Sequence, residues 1–312
     1  MELSIPSYPN CQRVMTVSSR SLLPPAPTGD SVFANFASED ACIAYLFNAR
    51  WPRGFRCPAC GHSKAYAINS RRLPLYQCAL CRKQTSLIAG TVMEGSRTPL
   101  RKWLIAIHLL SRENGVTALR LASLIRVTYK TAWLMLHKIR RAIAECDAKQ
   151  PLTGTVETGL RYYDRLESIR RPRSYPMLVL GSVSEEGRPV YVKMKLAPMR
   201  DGRPDTSRPA LRAFQARHVH GSVGRAVAFR MKINQGLHDL FGEAVAWING
   251  TFHGLATRHM QLYWDEFCYR KNAMMRGEAP FVHLCGLCMG TRLSGGMRRT
   301  NRPSAKVSAL AG

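Results

Sequence analysis

Four cysteines constrain the front of this 312-residue chain more than any other feature in it. Cys57 and Cys60 in CPAC, then Cys78 and Cys81 in CALC, give C-x2-C-x17-C-x2-C. A structural zinc ion needs four soft donors at the corners of a tetrahedron, and a two-residue gap lets one tight knuckle present two thiolates to one ion. Seventeen intervening residues suffice for a hairpin that returns the second knuckle, so a zinc ribbon with structural Zn is expected. Basic residues flank both pairs, in WPRGFRCPACG and CALCRKQ, where they favour thiolates and phosphate contact. A ribbon this small has little core, so metal binding supplies much of its folding energy. Cys285 and Cys288 form a second CxxC with no partner pair and no βαβ context, and read as incidental thiols. Cys11, Cys42, Cys146 and Cys268 read as structural or incidental, not as parts of a disulfide scaffold.

Charge narrows the partner. Lys and Arg number 46 against 20 Asp and Glu, a formal net charge of +26. The excess is divided evenly, +13 in residues 1–150 and +13 in 151–312, so it is not a detachable tail. A chain so far from neutral is expected to meet a polyanion, and double-stranded DNA is the first candidate. No apolar run approaches the roughly 18 residues of a membrane span. No basic amphipathic helix stands out for a membrane surface, and the opening MELSIPSYPNCQRVMTV lacks a secretory pattern. A cytoplasmic protein is therefore expected.

Hydrophobic periodicity divides the chain further. Residues 1–32, rich in Ser and Pro, read as disordered, and 33–95 as an entry helix capped by Ser38 followed by the ribbon. Residues 96–150 hold three helical stretches broken near NGVT and RVT. Beyond Pro151 the period changes to that of strands: TGTVETG, then YPMLVLGSV and RPVYVKMKL joined by the SEEGRP turn. A helix near Ser207–Arg217, a strand-like AVAFRMK, and helices near Gly236–Trp247 and Thr257–Asn272 follow. Residues 276–312 read as a basic disordered tail. The expected class is α+β and multidomain.

VTALRLASLIRVTYKTAWLMLHKIRRAI has the form of a helix-turn-helix. Leu119, Ala122 and Leu124 are expected to face a core, RVT to turn, and Thr128 to cap a second helix with Ala132, Met135, Ile139 and Ile143 inward. The first turn of that helix would present Tyr129, Lys130, Thr131 and then Trp133 to a major groove, with Lys138 and Arg141 continuing a basic face. A plain helical bundle is the alternative.

The stretches RWPRGFRCPACG, CRKQTSLIAGTVMEGSRTPLRKWLIAI and VTYKTAWLMLHKIRRAI resemble the front half of bacterial insertion-sequence transposases of the zinc-ribbon, ISXO-like group. INGTFHGLATRHMQLYWDEFCYRKN resembles the closing motif of the same family's catalytic domain. The resemblance covers about residues 33–148 and 248–272. It implies a ribonuclease-H-like domain over 151–275, a DDE-type set of acidic or substitute residues holding two Mg²⁺, and cleavage and strand transfer of transposon ends, with a homodimer on DNA as the working form and a bacterial, nucleoid-associated location. Two hard ions about 4 Å apart would activate the attacking oxygen and stabilise the leaving one, and such ions prefer convergent carboxylates.

The chain departs from that pattern where it matters most. Gly159 in GTVETGLRYYD stands where the family's first metal-binding Asp belongs. Glu157 shares its strand face but lies about 6.6 Å back along the strand, and Asp164 falls on the opposite face. Asp205, fifteen residues before His220, matches the second position, with Asp201 as its fallback. His238 falls at the third, although histidine is a poor Mg²⁺ ligand. His253, Tyr263, Glu266 and Arg270 would support the site. The last three share a helix face, for which a Glu–Arg i,i+4 pair on a solvated helix is the plain alternative. Ala246 and Trp247 stand near the place of the family's basic pair. Two readings follow: an insertion-sequence transposase or its degenerate descendant, and a non-catalytic zinc-ribbon/helix-turn-helix DNA-binding protein.

Overall fold

A computed structural model describes residues 36–154, 156–163, 177–185, 188–197, 199–200, 203–204, 208–220, 235–252, 255 and 257–293. The readings of residues 1–32 as disordered and of AVAFRMK as a strand fall outside these residues.

Helix α1 (Glu39–Arg50) starts where Ser38 Oγ accepts the Ala41 N–H at 3.1 Å, with Glu39 and Asp40 favouring the positive end of the helix dipole. Glu39 also accepts from the Leu100 amide and from Arg72, tying three segments to one carboxylate. Three short antiparallel strands follow, β1 (Ala65–Ile68), β2 (Leu75–Cys78) and β3 (Gln84–Ser86). Side chains alternate faces along a strand, so Ala67, Tyr76 and Thr85 form one cross-strand row and Tyr66, Gln77 and Gln84 the next. Tyr76 turns inward against Phe47, Trp51 and Phe55. Arg50 donates to the carbonyls of Ser86, Leu87 and Ala89, closing the turn after β3.

Helix α2 (Leu100–Ser111) is apolar on most sides and buried along its length. Helices α3 (Ala118–Ile125) and α4 (Tyr129–Ala148) are capped by Thr117 and Thr128, whose hydroxyls accept the Arg120 and Thr131 amides. Arg126 at φ 50° makes the left-handed turn between them. Helix α4 buries Ala132, Met135, Ile139 and Ile143 as its periodicity requires. Helix α3 corrects the sequence reading: its inward stripe is Leu121, Ala122 and Ile125, while Leu119 and Leu124 are exposed. Leu119 lies about 200° around the helix axis from Leu121, so both cannot face one core.

The second correction concerns the tail. Helix α8 (Pro280–Gly290) falls within 276–312, and its Phe281, Leu284, Cys285, Leu287, Cys288 and Met289 are buried among α1, α2 and α4. PFVHLCGLCMG carries no charge, and an uncharged apolar run is taken into a core. The chain thus ends its described course by returning to the core in which it began, and the Val92 amide donates to the Cys288 carbonyl at 3.1 Å.

Between these helices lies an antiparallel sheet of β5 (Val156–Tyr162), β6 (Met177–Glu185) and β7 (Arg188–Leu196). The short strand β4 (Leu152–Thr153) precedes β5. The two-residue strands β8 (Met199–Arg200) and β9 (Arg203–Pro204) pair with each other. Helix α5 (Arg208–His218) leads to β10 (Val219–His220), which pairs parallel to β4. Helix α5 covers one sheet face through Ala210, Leu211 and Phe214 against Val156, Leu160 and Val179. Gly181 permits that approach: a Cβ there would lie 2.7 Å from the Phe214 ring. Helices α6 (Gln235–Phe252) and α7 (Thr257–Met275) cover the other face, where Leu237, Phe241, Ala244, Ile248 and Trp264 meet Leu178, Leu180, Val192 and Met194.

Candidate metal centre and nucleic-acid interface

The two cysteine knuckles are built alike. The Gly61 amide donates to the Cys57 carbonyl and the Arg82 amide to that of Cys78, with Gly61 at φ 73° and Arg82 at φ 61°. Each tight turn aims two sulfurs inward. The four Sγ atoms lie within 4.8 Å of one another, with Cys57–Cys81 at 3.5 Å and Cys60–Cys78 at 3.6 Å. A tetrahedron of Zn–S bonds of about 2.3 Å has edges of about 3.8 Å, so the donor set fits zinc. The backbone N–H groups of Cys60 and Ala59 hold the Cys57 thiol down at about 6, and those of Cys81 and Leu80 lower Cys78. Cys60, against its backbone hydrogen bond at His62, is pushed up to about 12 by the neighbouring sulfurs and burial.

The predicted DNA-reading residues divide by exposure. Tyr129 and Lys130 stand exposed at the start of α4. Thr131 is partly covered, its hydroxyl 2.9 Å from that of the capping Thr128. Trp133 stacks on His137 at 4.7 Å and meets the edge of His259 from α7. Lys138 donates to the Glu94 carbonyl at 3.1 Å, and Arg141 lies 4.0 Å from Glu145. Burial first, then the neighbouring His259, Arg141 and Arg140, push the His137 imidazole down to about 4. Burial also pushes His218 down to about 4. A histidine lowered in the folded state binds fewer protons than in the unfolded chain, so its contribution is intact above about pH 6.5 and is lost as pH falls toward 4. Urea midpoints should therefore drop across that window, and His137→Phe, which keeps the ring stack, should flatten part of the decline. An unchanged acid limb in that variant would remove His137 from the account.

Glu266 corrects the solvated-helix alternative for the α7 face, since its side chain is fully buried. Its carboxylate takes Arg140 from α4 on one oxygen and Arg270 on the other, each at 2.5 Å. The Arg140 guanidinium lies 4.1 Å over Tyr263 and that of Arg270 lies 4.2 Å over Trp247, so ring faces supply the negative potential that one carboxylate cannot give two cations. Trp247 in turn donates to the Asn114 carbonyl in the turn before α3. Gly115, at φ 58°, lies so close that a Cβ would stand 2.9 Å from Glu266 Oε1. Glu266→Gln leaves two buried guanidinium groups without a full counter-charge and is expected to cost about 3–5 kcal/mol in urea unfolding. A loss below about 1 kcal/mol would show the bridge to be screened.

Residues 37–84 match the family model described as the transposase zinc-ribbon domain. The chain carries a transposase zinc ribbon. It is also 34% identical over 164 residues to an uncharacterized protein in transposable element ISH50 of Halobacterium salinarum, a match covering 52% of this chain and 53% of that protein. The chain thus spans about half the length of the curated relative it matches. No solved structure matches it. Both matches point to transposable elements, the first through its family description and the second through the name of the similar protein.

Behind the transposase ribbon, Gly159, Glu157 and His238 are the residues singled out for the catalytic pattern that lie among the described residues. Gly159 pairs with Leu180 and is buried on the α6–α7 side of the sheet, and Glu157, paired with Ser182, shares that face. His238 lies on the outer side of α6, exposed, its Nδ1 3.7 Å from Asp239, whereas the preceding Leu237 faces the sheet. Asp164, Asp201, Asp205 and His253 lie outside the described residues.

Sequence reasoning missed a second charged cluster in this half. Lys195 on β7 bridges Asp147 from the end of α4 at 2.6 Å and Asp265 from α7 at 2.5 Å, and Lys193 meets Asp147 at 3.0 Å. Gln261 binds Asp265 together with the Leu196 amide and the Met194 carbonyl, and Asn272 binds both backbone groups of Val192. Two lysines against two carboxylates form a neutral clamp between sheet and helices. The alternation of Lys193 and Lys195 along β7 was its only sequence signal, and in a basic chain that signal does not stand out.

Proposed function

We propose that this chain is a DNA-binding protein of insertion-sequence descent that holds element ends through a helix-turn-helix formed by α3 and α4, over residues 96–150. The observation that carries this reading is the start of α4: a Thr128-capped helix N-terminus with Tyr129 and Lys130 exposed, on a helix whose remainder is anchored in the core. DNA affinity should fall steeply with salt, log K against log salt sloping at about −0.9 per phosphate neutralised. Lys130→Ala should weaken binding and reduce that slope by about one. Salt-insensitive binding would count against an electrostatic track.

The half over 151–275 we read as a ribonuclease-H-like domain. Its antiparallel sheet β5–β6–β7 with helices on both faces, and the separate parallel pair of β10 and β4, support that reading. We further infer that it does not join DNA. The place of the first Mg²⁺ ligand is held by Gly159, which offers no carboxylate, and Glu157 is displaced by more than the separation of two catalytic ions. With matching terminal inverted repeats and Mg²⁺ or Mn²⁺, strand transfer is expected to be absent. Robust joining that needs Asp205 would overturn this and restore the transposase reading in full. The working form we take to be two copies on paired ends in the bacterial cytoplasm, which light scattering of the DNA complex would test.

A further inference from the structure

The outward face of the ribbon sheet belongs to no core. Tyr66, Gln77 and Gln84 form one row across all three strands on the side opposite the partly buried Tyr76 and the buried Thr85, and Gln84 donates to Gln77 at 3.4 Å, which places both amides on that side. Ile68 and Leu75 pair in the next row of the same face, and neither packs in the hydrophobic core. Tyr66 is 63% exposed. A solvent-facing aromatic ring beside paired amides and two aliphatic side chains has no stabilising role that the ribbon requires.

Charge identifies the occupant. Residues 51–93 contain seven Lys and Arg and no Asp or Glu. Lys64, exposed, lies immediately before β1, and Arg82 and Lys83 stand exposed at the second knuckle, where the Lys83 carbonyl accepts the Cys78 amide. None of these three has an ion-pair partner among the described residues. The face therefore attracts a polyanion, and its centre offers a flat ring and hydrogen-bonding amides. A duplex keeps its base faces stacked inside and can present only edges to such a ring, whereas an unpaired strand can lay a base on it.

We propose that this sheet face binds single-stranded DNA, Tyr66 stacking a base, Gln77 and Gln84 bonding base edges, and Lys64, Arg82 and Lys83 holding phosphates. This rests on the DNA-binding reading above and adds a second site, 45 or more residues upstream of α4 in sequence, for an unpaired segment of the same substrate.

Fluorescence anisotropy of the full zinc-loaded chain with a labelled twelve-nucleotide single strand and with a labelled duplex tests it. Tyr66→Ala should weaken single-strand binding about tenfold, as the loss of one base stack does, and leave duplex binding within about twofold; Tyr66→Phe should restore the single-strand affinity. Lys130→Ala should do the converse. Unchanged zinc content in each variant shows that the ribbon is folded, and Gln84→Glu, which places a negative charge on the exposed face, gives a second reading independent of Tyr66. Equal losses on both DNAs, or no loss on the single strand in either ribbon variant, would overturn the proposal. Single-strand binding that needs Tyr66 while duplex binding ignores Lys130 would instead sink the α4 reading and leave this one standing.

Discussion

Stripping zinc from this chain is expected to unfold the ribbon and leave the helical core. One tightly held Zn²⁺ per chain should be found, and Cys57→Ser should lose it. Structural zinc sites of this kind contribute about 10–16 kcal/mol of apparent binding energy near neutral pH, more than a small domain's whole stability of about 5–15 kcal/mol. The ribbon has little to set against that loss. Its strands are three and four residues long, and its sulfurs occupy positions that side-chain packing would otherwise fill: Cys57 and Cys78 are both buried. The aromatic group of Phe47, Trp51, Phe55 and Tyr76 spans α1 and the ribbon, so tryptophan emission should shift red on chelation. Helices α2, α4 and α8 make their own contacts, so far-ultraviolet ellipticity should fall by far less than emission changes. Metal analysis that finds no zinc, or a chelator that alters neither signal, would end the ribbon account.

What the sequence disclosed follows from the range of each interaction. The cysteine spacing, the Ser38 and Thr128 caps and the inward stripe of α4 are local patterns, and each is present where its residues predict. The failures are tertiary. Leu119 and Leu124 looked like core residues because α3 offers six aliphatic positions in eight, and only the packing partner decides which of them turn inward. Glu266 with Arg270 looked like a solvated pair because i,i+4 spacing is the same on a wet helix as on a buried one. Arg140, 126 residues earlier in the chain, is what converts the pair into an internal bridge. The zinc ribbon is thus legible in the sequence to the residue, whereas the contacts between the helical half and the sheet half are not.

The same distinction explains α8 and sets the second large effect. A chain ending at Gly277 is expected to lose the N-terminal core, although it keeps the ribbon, α2, α3 and α4 intact in sequence. Six buried side chains of α8 leave with the truncation, and Phe281 alone stacks on Tyr45 at 5.8 Å and meets Phe36 and the edge of His108. At about 1.5–3 kcal/mol for each fully buried large apolar side chain, the loss is on the order of 10 kcal/mol, comparable to the entire stability of a domain. Polar groups are stranded as well: the Val92 amide loses the Cys288 carbonyl, and the Tyr269 hydroxyl loses His283 and the Pro280 carbonyl. The truncated chain should be recovered aggregated or be cleaved rapidly by trypsin across α1 and α2. A chain ending at Leu293 keeps every described contact of α8 and should unfold at the full-length urea midpoint. Because an aggregated product gives no midpoint, Leu284→Asp in the full chain supplies the measurable version: a charge at a completely buried position should lower stability by several kcal/mol. If the chain ending at Gly277 unfolds at the full-length midpoint, α8 is not part of the core, and the reading of 276–312 as a dispensable basic tail is restored.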